Sequence, residues 1–518
     1  MKKIKIDLSP YTETVTEFFV KSRFFVFGDK ILKLFLIFGF SIVFFMELRA
    51  DISDHEREKP SNGHGDFFSV PRESIEKGSV FVINENSFFK PLHSFEQIVL
   101  LTNEDEFFLP AGAGLSAEKG ASSSLYADGY ISVNELFAFY YQFRQTASQN
   151  NVDISVFRAF GKLRTGKLSF DFGRNDLSFG PGKYGVFLGG NISPFINLKM
   201  QTEESINFFG KWDFLAVKGW FKEERNDIDD PEILAVRITW QPFSWLKIGG
   251  TRTTFYGGAG RPTYYPWEYP KFILASEENH QPDVYDNRDF DNDAMAAWDV
   301  SFTIPMRWLW SDIEKFKFYF QQGGTDVHLI WQKDNNKFME PTFPFFFMKF
   351  YDTSYTTGLF MEIPCQTFRL EYASTPYAFY THHFYSQEGY THDNIPIGHP
   401  YGRDMQSFLL EHSFSTEKDL SFSWMISYVQ APGKKQQYRG HGSSFRDLWP
   451  LFSSGNDIEK QWLFSFMTDK HFGDISLGGY FRYRYIRNFD MDMRANFFDI
   501  SNKKRHFITG GISFSLKL

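Results

Sequence analysis

From about residue 130 to the C-terminus, apolar and polar side chains alternate with a period of two, the mark of β-strands with one apolar and one polar face. The last segment is the cleanest: Ile508, Gly510, Ile512, Phe514, Leu516 and Leu518 share one face, and Thr509, Gly511, Ser513, Ser515 and Lys517 the other. Phe316, Phe318 and Phe320 likewise stand against Lys315, Lys317 and Gln321, and Phe368, Leu370 and Tyr372 against Arg369 and Glu371. Ile475, Leu477, Gly479, Phe481, Tyr483 and Tyr485 oppose Ser476, Gly478, Arg482 and Arg484, and Leu420, Phe422, Trp424, Ile426 and Tyr428 form one more apolar face. In a soluble sandwich such faces meet in a core; in an outer-membrane barrel they meet lipid, and the polar faces line the lumen.

Connection lengths separate the two. The links 487–504, 431–458, 375–404, 323–353 and 256–293 are long, and they alternate with the shorter 468–474, 415–419, 363–366, 305–314 and 241–244. A sandwich has no reason to gather its long loops at one end, whereas bacterial barrels have short periplasmic turns and long outer loops. About 16 strand-like segments follow residue 130, and the 323–353 link holds two further apolar runs, Val327 to Trp331 and Phe343 to Phe350, that read as a hairpin. The expected fold is therefore all-β: an antiparallel transmembrane barrel of about 18 strands over residues 130–518, with its C-terminus at the periplasmic end. Residues 67–129 lack clean alternation and are expected to form a small periplasmic, helical element.

The N-terminus supplies an address. Leu34 to Met46 is a short apolar stretch preceded by Lys30 and Lys33 and followed by Leu48, Arg49 and Ala50, so residues 1–50 read as a secretory signal peptide. Residues 51–66 are charged and aperiodic, as in a disordered linker. Composition agrees with export to a barrel. The chain has 64 Phe, 25 Tyr and 12 Trp, yet its mean hydropathy of -0.35 excludes a bundle of membrane-spanning helices. One cysteine, Cys365, excludes a disulfide framework, and a net charge of -8 argues against nucleic acid as a partner.

Four motifs fall where strands are expected to meet outer loops: Phe172-Gly173-Arg174-Asn175-Asp176 leading to Gly180-Pro181-Gly182-Lys183-Tyr184-Gly185; Tyr256-Gly257-Gly258-Ala259-Gly260-Arg261-Pro262; Glu371-Tyr372-Ala373; and Gly398-His399-Pro400-Tyr401-Gly402-Arg403-Asp404. In this order the chain resembles the capsule assembly protein Wzi family of Gram-negative outer membranes. The resemblance implies a largely occluded 18-stranded barrel with a small periplasmic helical domain, and lectin-like retention of exported polysaccharide at the cell surface. Leu518 stands where outer-membrane barrels commonly end on an aromatic residue.

Candidate binding residues follow from sugar chemistry. Aromatic faces stack on the C–H faces of sugar rings, so Tyr264, Tyr265, Trp267 and Tyr269, beside Arg261, form the first candidate site for surface polysaccharide. Asp283, Asp286 and Asp289 offer acceptors to sugar hydroxyls, and Tyr385, Tyr390, His399 and Asp404 form a second candidate loop. His382, His383, His392 and His399 lie near Asp393 and Asp404, but without a metal-ligand spacing or a nucleophile motif, so no metal, cofactor or catalysis is expected. Arg237, Arg369, Glu371, Arg482 and Arg484 fall on polar faces and are expected to form a charge network in the lumen, because charges facing lipid cost about 2–4 kcal/mol near the midplane. The partners expected are surface polysaccharide, outer-membrane lipid and the barrel assembly machinery. The rival readings are an open porin and an outer-membrane hydrolase.

Overall fold

The computed structural model describes residues 88–517, apart from 105–117, 134–135, 149–150, 186, 190–191, 274–292, 305–312, 330–332, 335–336, 339–347, 377–378, 381–388, 394, 404, 417–418, 432–458 and 488–503. The signal peptide, the linker and residues 67–87 expected from the sequence lie outside the described residues, as do Tyr385, Asp404, His382, His383 and the carboxylates at 283, 286 and 289.

Eighteen strands make one sheet among the described residues: β1 (Phe88–Thr102), β2 (Gly120–Val133), β3 (Phe137–Ala147), β4 (Val152–Thr165), β5 (Leu168–Asn175), β6 (Phe195–Thr202), β7 (Lys211–Trp220), β8 (Glu232–Phe243) and β9 (Leu246–Tyr256) come first. They are followed by β10 (Asp293–Ile304), β11 (Lys315–Leu329), β12 (Met348–Ile363), β13 (Gln366–Thr375), β14 (Met405–Ser415), β15 (Leu420–Ala431), β16 (Glu459–Phe472), β17 (Ile475–Arg487) and β18 (Lys504–Lys517). A two-residue piece, Ile206–Asn207, pairs with the same neighbour as β6 and continues that stave. Each strand pairs antiparallel with the next, and β1 pairs antiparallel with β18 in the register Ser94 to Lys517, which closes the barrel. Closure removes both free edges, the condition for a sheet to survive in lipid.

The faces are inverted relative to a soluble protein. On β18, Ile508 and Ile512 are exposed while Thr509 is fully buried; on β6, Ile196 and Leu198 are exposed while Asn197, Lys199 and Gln201 are buried. Apolar side chains outside and polar ones inside are the arrangement of a barrel solvated by lipid. The inward charges are paired, Lys199 Nζ to Asp171 at 2.7 Å and Lys162 Nζ to Glu203 at 2.6 Å.

Sixteen of the strands, β3 to β18, follow residue 130 as the alternation implies, but the remaining two are not the hairpin read into 323–353. There β11 pairs directly with β12 through His328–Lys349 and Leu329–Met348, so the described parts of the apolar runs, up to Leu329 and from Met348, are the ends of two long staves. The missing pair is β1 and β2, inside the segment expected to be periplasmic, so residues 88–102 and 120–129 belong to the barrel wall. Their period is masked for physical reasons. Pro91 sits where the β1 register shifts between Lys90 and Ser94, and the outward positions Ala127 and Gly129 of β2 give little apolar contrast.

Connections at the end holding the C-terminus are tight, as at Gly166, Ser244–Trp245, Pro364–Cys365 and Gly473–Asp474. The opposite end carries the links 176–194, 221–231, 257–292, 376–404, 432–458 and 488–503, with one tight turn, closed by the Ser148 N–H to Asn151 O bond of 2.8 Å. The long-loop end is the cell exterior.

Candidate functional site

Two of the long outer links turn inward. In 176–194 the Gly180-Pro181-Gly182-Lys183-Tyr184-Gly185 motif is not a turn at the strand end but the tip of a segment that reaches the far wall of the lumen. The Lys183 backbone N–H donates to Glu371 Oε2 at 2.6 Å, and its Nζ pairs with Glu411, which Arg369 also approaches at 3.4 Å. Tyr319 donates its hydroxyl to the same Glu371 oxygen at 2.6 Å. Glycine is needed because the tip lies against that wall: a Cβ on Gly182 would start 2.7 Å from Glu371 Oε2, and Gly180, at φ +98°, lies against Gln321. Tyr184 fills a buried cluster with Leu409, Met425 and Leu463.

The second segment, from 376–404, packs on the first. The Gly189 N–H donates to Ile397 O at 2.8 Å, Tyr390 donates its hydroxyl to Phe187 O at 2.8 Å, and the Phe379 and Phe187 rings meet at 5.7 Å. With wall residues such as Phe195, Val217, Ile233, Phe255 and Met295 they build a buried apolar cluster inside the barrel. Tyr390 is 1% exposed and stacked on Tyr380, and His399 is 1% exposed with its ring edge on Tyr184. Burial pushes the His399 imidazole down to about 3, so it is neutral. Both residues, expected to offer surfaces to sugar, are instead packing members of this interior, because their loop folds into the lumen rather than away from it.

The first candidate loop divides into anchors and a platform. After β9 the chain turns at Gly257-Gly258, runs past a half-buried Arg261 whose N–H donates to Gly258 O at 3.0 Å, and forms a helical turn, Pro266–Glu268, followed by a short helix, Tyr269–Ile273. Tyr264 is buried against Tyr256, ring centroids 4.7 Å apart, and against Phe272, so it is an anchor and not a sugar platform. Arg252 fixes the helix by donating Nε–H to Phe272 O at 2.6 Å, and Glu268 receives the Tyr265 N–H at 2.7 Å. Tyr269 is half-buried, its hydroxyl pushed to higher pKa by burial and by the charge of Glu232. What stays outside is Tyr265 and Trp267, 41% and 72% exposed, stacked at 4.6 Å with planes 17° apart.

The lumen charges sort by partner. Arg237 grips Asp299 through two bonds of 2.6 and 3.1 Å and also donates to Thr251 at 2.8 Å. Arg484 donates to Gln461 on the adjacent strand at 3.0 Å, and Arg482 is buried beside the Tyr480 ring. Arg369 and Glu371 are joined through the inserted tip. Asp299 and Glu411 were not singled out from the sequence, although they lie at inward positions of their strands, and that was the available signal; Lys183 entered only as part of the glycine-rich motif. One group of metal-capable side chains also converges among the described residues: Glu223, His392 and Asp393, with ligand atoms all within 4.8 Å of one another. Burial opposes the charge of Glu223, but hydrogen bonds from His392, the Asp393 N–H and Arg225 outweigh it and hold the carboxyl below its usual range.

Among solved structures, the chain is similar to Wzi of Escherichia coli, described as an outer-membrane, carbohydrate-binding β-barrel involved in group 1 capsule assembly, at 15% identity and TM-score 0.56 over 82% of this chain and 85% of that one. The Pseudomonas aeruginosa proteins OccD3 and OpdQ align at TM-scores of 0.47 and 0.44, with 12% and 10% identity, covering 89% and 82% of this chain and 100% and 97% of theirs. No curated protein matches the sequence. The family model for capsule assembly protein Wzi matches residues 108–496, and the chain belongs to that family.

Proposed function

We propose that this outer-membrane barrel binds exported surface polysaccharide and holds it at the cell surface, without catalysis. The observation that carries the reading is the exposed Tyr265–Trp267 pair at the outer mouth. The two stacked rings leave one free aromatic face on each outer side, and such a face suits the C–H face of a sugar ring. Their support is rigid, so little side-chain freedom remains to be lost on binding. Arg261, four residues before Tyr265, adds attraction for an acidic polymer. The E. coli relative's description as carbohydrate-binding supports the same class of ligand. The apolar outer face meets outer-membrane lipid, and folding into that membrane would use the barrel assembly machinery.

The test is the double variant Tyr265→Ala/Trp267→Ala, read as the cell-bound fraction of polymer. Both side chains are exposed on an outer link and outside the strands, so heat-modifiable mobility should match wild type while retention falls. Unchanged retention with normal folding would remove this platform from the site.

A further inference from the structure

A cluster outside the aromatic platform has the makings of a metal site. It joins two outer links, 221–231 and 376–404. Arg225, its side chain fully buried, donates to Thr391 O at 2.9 Å and Gly389 O at 2.8 Å and pairs with Glu223 and Asp227, so both backbones are held in place. Between them His392 packs on the Phe221 ring at 4.8 Å.

The two nitrogens of His392 differ sharply. Nδ1 lies 3.0 Å from Glu223 Oε2, which also accepts the Asp393 N–H at 2.6 Å. Glu223 is a carboxylate, so Nδ1 carries the proton and Nε2 presents a bare lone pair in the neutral ring. Nε2 is buried with no hydrogen-bond partner, and the residue is 5% exposed. Asp393 Oδ2 stands 3.6 Å from Nε2.

A plain ion pair accounts poorly for this. An imidazolium would draw Asp393 to about 2.8 Å, the length of a charge-assisted bond, and a neutral ring would leave a buried lone pair unmet. Two donor atoms on one four-coordinate ion, each about 2.0–2.2 Å from it, stand roughly 3.4 Å apart. That is close to the separation observed here. Metal-ligating histidines also characteristically donate their other N–H to a carboxylate, the part Glu223 plays. Asp393 is half exposed, which leaves the remaining coordination positions to solvent. Three carboxylates, Glu223, Asp227 and Asp393, outnumber the two cations beside them, Arg225 and Arg174.

We propose that His392 Nε2 and the Asp393 carboxylate bind a divalent transition ion of the zinc class at the outer mouth, with Glu223 orienting the imidazole. Mixed imidazole and carboxylate ligation selects such ions over magnesium or calcium. Bound there, the ion fixes His392 and Asp393 of the 376–404 link, while Glu223 of the 221–231 link holds the other imidazole nitrogen, a function separate from sugar binding.

The experiment is calorimetric titration of zinc chloride into the untagged, chelator-stripped protein in detergent, with Co2+ absorption as the spectroscopic check. Wild type should take up one ion with micromolar or tighter affinity and give visible Co2+ bands. His392→Gln and Asp393→Asn should each weaken uptake at least tenfold and abolish the bands. Heat-modifiable mobility reports the fold of each variant, and Asp393→Asn, at a half-exposed position, keeps the test sound if His392→Gln does not fold. No stoichiometric uptake by wild type, or uptake unchanged in a folded variant, overturns the proposal.

Discussion

Replacing Glu371 by Ala should loosen the inserted tip without unfolding the barrel. The carboxylate is 2% exposed and accepts two bonds of 2.6 Å, from the Lys183 backbone N–H and from the Tyr319 hydroxyl. A hydrogen bond to a charged group contributes about 1.5–3 kcal/mol, so losing both has a ceiling of roughly 3–6 kcal/mol. Only the Lys183 bond holds the tip, since Tyr319 belongs to the wall, and water entering the vacated space offsets part of the loss. A net weakening of about 1–2 kcal/mol raises the unseated population of the tip by roughly 5- to 30-fold. The base of the segment stays in place, because Phe179, Phe187 and Leu188 remain in the apolar cluster. Planar bilayers should therefore show a quiet wild-type protein and a Glu371→Ala variant with brief openings rather than a steady pore. Gly182→Val should act in the same direction by steric means, its Cβ starting 2.7 Å from Glu371 Oε2. Steady large currents from wild type, or silence from both variants when folded, would refute the reasoning.

Asp299→Ala leaves Arg237 buried without its carboxylate and should cost about 3–5 kcal/mol, seen as a lower temperature for conversion to the heat-modified band; an unshifted conversion would count against a tight pair. His399 has a folded value near 3, below its ordinary 6.5, so the unfolded chain takes up the proton first. Its contribution is full above pH 6.5 and is lost at up to about 1.4 kcal/mol per pH unit as pH falls towards 3. Protease sensitivity of the 376–404 link should rise over that window, and His399→Gln should flatten the rise. An epitope tag placed within 432–458 should be labelled on intact cells and one at Gly473–Asp474 should not; labelling at the latter would invert the topology.

The staves were legible because lipid and lumen impose opposite demands on successive residues, and Ile508, Thr509 and Ile512 obey them one after another. Strand number came out at eighteen for a partly mistaken reason. The described parts of the runs in 323–353, up to Leu329 and from Met348, extend β11 and β12 rather than adding to them. In β2 the outward Gly129 is covered by Tyr141 from the neighbouring strand, so the missing bulk is supplied from another position and the local pattern hides it. The direction of the outer links was not legible at all. Whether a glycine- and aromatic-rich loop folds out or in depends on partners far along the chain: Lys183 meets Glu371 across 188 positions and Glu411 across 228. For that reason Tyr390 and His399 read as exposed chemistry, while Trp267, in a loop of similar composition, is the residue that is exposed.

The same division bears on how a barrel of this build would hold a polymer. The interior is occupied by an apolar cluster and by paired charges, and among the described residues of the outer links the exposed aromatic chemistry is a patch the size of two rings. One such patch supports weak affinity, since aromatic stacking contributes only about 0.5–1.5 kcal/mol beyond area burial. A polysaccharide repeats its unit many times and can engage many barrels at once, and each further contact is then intramolecular, with an effective concentration set by barrel spacing. Retention on the proposed reading is therefore an avidity effect, steep in the number of barrels per cell. Lowering the copy number twofold should release more than half of the polymer held by chains that bridge several copies, whereas a tight one-to-one receptor would release it in proportion.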